Sequence, residues 1–157
     1  MRIEYFQLID RIIDLNLNDL TIRVEANVPT ESTIFEGHFP GRPLMPGVLL
    51  IESMAQASGW LIIARNKFDK MPFLAAVKEC KLRTFVTPGQ TLIVSAKIAH
   101  EGSGFAMTEA TVAVEGKTVC NADITFRVVD FPKGEFLQNM HAVAKRISFP
   151  SEAVAHE

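Results

Sequence analysis

Residues 36–56 read EGHFPGRPLMPGVLLIESMAQ, a rigid loop running directly into an apolar helix. Pro40, Pro43 and Pro46 fix φ and remove N–H donors, while Gly37, Gly41 and Gly47 permit close backbone approach. Pro46 suits a first helical turn, where its missing N–H would find no partner anyway. The helix then runs from about Pro46 to Asn66. Leu49, Leu50, Met54, Leu61 and Ile62 are bulky, whereas Val48, Glu52, Ala55/Gln56 and Gly59 form a line of small and polar groups. So few charges predict a helix buried nearly all round, and something must wrap it.

The flanking segments supply the wrapping. Residues 5–15 carry Phe6, Leu8, Ile9, Ile12, Ile13 and Leu15 at mixed spacing, a short helix or turn leading into a strand. Leu20 to Val28 alternates as a first strand, with Leu20, Ile22, Val24 and Ala26 on one face. A loop from Pro29 to Pro46 follows. Beyond the helix, Phe73 to Val86 reads as one extended segment closed by Thr87-Pro88-Gly89-Gln90. Leu92, Val94, Ala96 and Ile98 alternate next, then Phe105 to Val114, then Val119 to Val129, separated by short Gly-containing turns. These are antiparallel hairpin signals. The expected fold is α+β, a curled antiparallel sheet around one long central helix. Residues 133–149 add Phe136, Leu137, Met140, Val143, Ala144 and Ile147 at helical spacing, an amphipathic helix of three to four turns that docks on the body or a neighbouring subunit and frays at its end. Residues 1–130 are thus read as the main domain and 131–157 as an extension.

The 157 residues fit a single domain with its own core, and 48% hydrophobic with 22% charged residues is a globular balance. A net charge of −2 provides no global basic field for nucleic acid or an anionic membrane. Cys80 and Cys120 belong to no C-x-x-C pair, so reduced thiols in a cytosolic protein are expected rather than a zinc site or disulfide framework. MRIEYFQLIDRIIDL lacks the apolar core of a signal peptide. The run Val48 to Ala64 is interrupted by Glu52, Gln56 and Ser58, and reads as a buried helix rather than a membrane span. A cytoplasmic protein is expected.

Two residues carry candidate chemistry. Glu52 sits in the second turn of an apolar helix, where desolvation favours the neutral acid, a form able to donate a proton. Gln56, one turn on, is placed to hold it; the plain alternative is a carboxylate that reaches water or an arginine. His38 is pinned before Phe39-Pro40-Gly41, and an imidazole is the side chain type suited to act as a base near neutral pH, although a loop histidine is commonly structural. Gly47 and Val48 offer unpartnered N–H groups at the positive end of the helix, able to polarise a carbonyl. Base, acid and helix terminus together suit proton abstraction α to a carbonyl. His100, His141 and His156 have no ligand-spaced partners, so no metal and no cofactor is expected. No nucleophile elbow and no phosphate-cradling glycine loop is present.

The segment HFPGRPLMPGVLLIESMAQ resembles the signature of the (3R)-hydroxyacyl-acyl-carrier-protein dehydratases of type II fatty acid synthesis, which have the hotdog fold. The likeness rests on His-Phe-Pro-Gly, the second proline, Met-Pro-Gly-Val-Leu, the glutamate fourteen residues after the histidine, and the following Ala-Gln. A weaker likeness spans about Phe6 to Val129, including LIDRIIDL and KLRTFVTPGQTL. The resemblance implies dehydration of a 3-hydroxyacyl thioester in acyl-chain biosynthesis. It makes His38 the base that removes the α-proton, Glu52 the acid that releases the β-hydroxyl, and the Gly47 backbone the carbonyl holder. Val48, Gln56, Phe39 and Ala76 fall to substrate binding. It also implies a homodimer in which the two catalytic groups come from opposite subunits, with a trimer of dimers left open. Glutamate at position 52 resembles the branch that does not isomerise the double bond. Arg42, Arg65, Lys78, Lys81 and Arg83 flank the loop and strand: a basic rim for an acidic carrier protein and its phosphopantetheine, or a lysine-protected strand edge. The chain departs from the family in lacking a leading Pro-His-Arg, in having Ala76 in place of a common glycine, and in its tail from about Phe131. The alternatives are a thioesterase on the same fold and a non-catalytic acyl-binding or assembly subunit.

Overall fold

A computed structural model describes residues 1–153; the expected fraying of the last residues, and His156, lie outside the described residues. The elements follow in the order β1 (Arg11–Asn16), β2 (Thr21–Asn27), α1 (Thr33–Gly37), α2 (Gly47–Arg65), β3 (Lys70–Leu82), β4 (Thr91–Gly102), β5 (Phe105–Val114), β6 (Lys117–Asp130) and α3 (Glu135–Arg146), with short 3-10 turns at Ile3–Tyr5 and Ser151–Ala153. All six strands join one antiparallel sheet in the order β1-β2-β4-β5-β6-β3. The sheet's inner face packs on α2 and α3 docks separately, as expected of a hotdog-type arrangement.

Alternation decides the inner face. Ile22, Val24 and Ala26 of β2, Leu92, Val94, Ala96 and Ile98 of β4, and Cys120, Ala122, Ile124 and Phe126 of β6 are all buried. They meet Leu50, Met54, Leu61 and Ile62 of α2, each at most 2% exposed. Burying each such side chain contributes about 1.5–3 kcal/mol before entropy is subtracted. Ser58 and Thr108, the polar pair between helix and sheet, satisfy one another at 2.7 Å.

Several sequence expectations need correction. Leu20–Val28 contributes the second strand, because Arg11–Asn16 already pairs beside it. The Pro29–Pro46 loop contains α1, whose Ser32 hydroxyl accepts the Ile34 N–H at 3.1 Å as an N-cap. Pro46 is the N-cap of α2 rather than its first helical residue. The extended segment ends as a strand at Leu82, and the turn at Thr87–Gln90 closes no hairpin. Its Gly89 donates to the Val28 carbonyl at 2.9 Å while Val28 donates to that of Gln90 at 2.9 Å. That clasp delivers β4 to β2, and β3 is left on the far edge beside β6.

α2 is also less completely wrapped than its composition suggests. Val48 is 71% exposed, and Ile51, Glu52 and Gln56 are only half-buried. By length and composition α2 could cross a membrane, yet 67% of its most apolar window is buried within the fold, as in a core helix. α3 is amphipathic as expected and turns Ala144 into the core, followed by Ile147 and Phe149. Phe149 packs on Trp60 with ring centroids 5.6 Å apart.

Candidate active site

His38 ends α1, and its loop is closed by backbone bonds on both sides. Its N–H donates to the Ile34 carbonyl at 3.0 Å and its own carbonyl accepts from Leu44 at 2.9 Å. Phe39 and Arg42 exchange a reciprocal pair at 3.1 and 2.9 Å, a tight turn completed by Gly41 at φ +74°, a backbone region that favours glycine. The imidazole Nδ1 lies 3.0 Å from the Leu44 carbonyl oxygen. A carbonyl can only accept, so this bond puts the proton on Nδ1 and leaves Nε2 with a free lone pair. The ring also stacks on Phe39 at 4.1 Å.

A cavity of about 480 Å³ opens in front of it, lined by His38, Phe39, Gly47, Leu82, Arg83 and Phe85 among others. The N–H groups of Gly47 and Val48 occupy the first turn of α2, where no preceding carbonyl is available to them. A Cβ on Gly47 would lie 2.6 Å from Leu82 Cδ1, so glycine keeps this helix start open to the cavity.

Glu52 is half-buried one turn further along α2. Gln56 donates from Nε2 to its carboxylate at 3.2 Å and to the Phe6 carbonyl at 2.8 Å, while its Oε1 accepts from Leu8 N–H at 3.3 Å. Those partners fix which way the amide points. Glu52 lines a second cavity of about 190 Å³ with Gln56, Gly59, Trp60, Leu74 and Met140 among its walls. No lining residue is common to the two cavities. Within one chain, therefore, the histidine and the glutamate face different spaces.

The remaining expected residues are dispersed. Ala76 is half-buried opposite Thr125 on β3 and lines neither cavity. Arg42, Lys78, Lys81 and Arg83 are all exposed. Arg83 reaches the His38 cavity and bonds Asn121 at 3.0 Å, and the Arg42 guanidinium stands 6.0 Å from the Phe85 ring. Arg65 is misplaced in that group: it sits at the other end of α2, about 27 Å away at 1.5 Å per residue, and pairs with Glu101 at 3.1 Å. The lining residues Leu82, Phe85 and Leu74 carry no signal in the sequence, and Met140 reads there only as part of an amphipathic helix, because apolar residues at an edge or on a tail look like ordinary surface or core. Among the described residues no cluster of His, Cys, Asp or Glu could hold a metal.

Comparison with known proteins adds to this geometry. Residues 2–123 match the FabA-like domain. Over 120 residues the chain is 39% identical to the 3-hydroxyacyl-[acyl-carrier-protein] dehydratase FabZ of Levilactobacillus brevis, covering 76% of this chain and 80% of the relative. The FabZ of Fusobacterium nucleatum is 37% identical over 125 residues, covering 80% and 88% respectively. Among solved structures, the dehydratase heterocomplex ApeI:P of Xenorhabdus doucetiae superposes with a TM-score of 0.61 at 19% identity, covering 87% of this chain and 90% of that one. A hypothetical thioesterase of Streptococcus pneumoniae, with coenzyme A, gives 0.61 at 17% identity over 78% and 88%. These two similarities establish the hotdog fold.

Proposed function

The chain belongs to the FabA-like family, and from that premise we propose that it dehydrates (3R)-hydroxyacyl thioesters of acyl carrier protein to trans-2-enoyl thioesters in fatty acid biosynthesis. It is a hydro-lyase. The residue assignment is supported by a histidine whose Nε2 is free beside an open helix N-terminus and, on a separate cavity, a glutamate held by Gln56.

His38 Nε2 takes the α-proton, and the electron pair left behind forms the new double bond. The C–O bond to the β-hydroxyl breaks as Glu52 supplies a proton, so the hydroxyl leaves as water. The net shift of one proton from Glu52 to His38 is reversed through solvent before the next turnover. The N–H groups of Gly47 and Val48 stabilise the thioester oxygen as it gains charge. The thioesterase alternative rests on fold likeness at 17% identity, whereas the relatives at 37–39% identity are named dehydratases.

A single chain separates the two groups, and β3 supplies the means of joining them. It is an edge strand on which Phe73, Leu74 and Leu82 are 47%, 50% and 53% exposed, apolar surface that a second copy would cover. Pairing of β3 with a second copy joins His38 of one subunit to Glu52 of the other. Arg83 at the His38 cavity, Arg42 near Phe85, and the exposed Lys78 and Lys81 on β3 are the cations offered to an acidic carrier protein, and the cytoplasm is the compartment that goes with this reading.

The test follows the absorbance of the α,β-unsaturated thioester after addition of 3-hydroxyacyl thioesters. Its appearance is expected; no product from short, medium or long chains would overturn the assignment.

A further inference from the structure

The Glu52 cavity is polar at one end only. From Glu52 it follows α2 past Gly59 and Trp60 to Ile63, about 16 Å of helix at 1.5 Å per residue. One further wall comes from Met140, on α3. The match to the FabA-like domain ends at residue 123, so α3 adds a wall that the matched domain does not contain.

α3 is fixed against the far end of that cavity. The His141 ring, next to Met140, stacks on Phe68 at 4.3 Å, and Phe68 follows the C-terminus of α2. Phe149 packs on Trp60, and Ile12 N–H donates to the Ile147 carbonyl at 2.8 Å, tying the end of α3 to β1. Met140 therefore stands at the end remote from Glu52, half-buried against the core. Methionine is flexible, but its thioether still excludes volume when the helix that bears it is anchored.

We propose that Met140 is the specificity-determining floor of the acyl pocket, and that α3 sets the acyl length this enzyme accepts. This rests on the dehydratase reading given above. The cavity is about 190 Å³, and beyond Glu52 and Gln56 its walls are apolar, as an acyl tail requires.

The experiment compares kcat/KM for hydroxybutyryl, hydroxydecanoyl and hydroxypalmitoyl thioesters in wild type, Met140→Ala and Met140→Trp, with the melting temperature of each recorded. Opening the floor raises the decanoyl-to-butyryl ratio about tenfold, mainly through KM, the lower range for removing methylene-sized groups from a pocket wall. Met140→Trp moves the ratio the other way. A folded variant of either kind with the wild-type ratio overturns the proposal while leaving the dehydratase assignment standing. Wild type inactive on all three substrates overturns the dehydratase assignment itself.

Discussion

His38 Nδ1 and the carbonyl oxygen of Leu44 are 3.0 Å apart, a contact that locks the imidazole to its own loop and turns Nε2 outward. Asparagine at this position retains a donor near Nδ1 and provides nothing at Nε2. His38→Asn is accordingly expected to fold normally and to lose at least about a hundredfold in kcat, within the range for a general base. Turnover close to wild type in the enoyl-thioester assay would remove His38 from the mechanism.

Glu52→Gln keeps the shape of the acid and its contact with Gln56 but cannot release a proton. A loss of at least about a hundredfold is expected here too. The melting temperature should barely move, which separates this effect from damage to α2.

Gln56 holds three groups at once: the Glu52 carboxylate, the Phe6 carbonyl and the Leu8 N–H. Gln56→Leu strands the N–H of the buried Leu8, while the exposed Phe6 carbonyl can turn to water, and is expected to cost about 1 kcal/mol of stability. Urea unfolding with an unchanged midpoint would show that water replaces the amide without penalty. Activity should fall as well, because the carboxylate loses its support.

Because His38 and Glu52 line separate cavities, mixing the His38→Asn and Glu52→Gln proteins tests where the complete site forms. Subunit exchange creates hybrid dimers with one intact site, so part of the activity should return. No recovery after exchange is verified would place both groups on one chain. In the same spirit, Val77→Asp puts a charge on the exposed edge of β3. Sedimentation should then report monomers, and an undisturbed dimer would move the interface elsewhere.

Cys80 is exposed on β3 and Cys120 is buried on β6. Burial, with the neighbouring Cys80 thiol adding to it, pushes the Cys120 thiol up to about 12. At pH 8 it carries almost no thiolate, the form that reacts. Alkylation of the native protein should therefore leave Cys120 unmodified, whereas both cysteines react after unfolding. The sign for stability follows: a thiol held neutral in the fold weakens the fold only as pH rises above its ordinary value near 9. Native mass spectra with Cys120 alkylated would contradict its burial.

The sequence by itself determined the central helix, the inward faces of β2, β4 and β6, and the two candidate catalytic residues. Those readings rest on local physics. Period-2 alternation and a charge-poor helix specify which side is buried, and a proline-glycine loop specifies a fixed backbone whatever surrounds it. The tertiary structure decided what depends on distant pairings. Gly89 and Val28 clasp so that β4 joins β2, which sends β3 to the edge, a choice that an 87–90 turn read in isolation reverses. Phe149 on Trp60 and His141 on Phe68 bring Met140 to a cavity 88 residues from Glu52 in the chain. Only the fold shows that His38 and Glu52, fourteen residues apart, look into different spaces. Sequence spacing records separation along the chain, whereas the direction a side chain faces is set by what the rest of the chain packs against it.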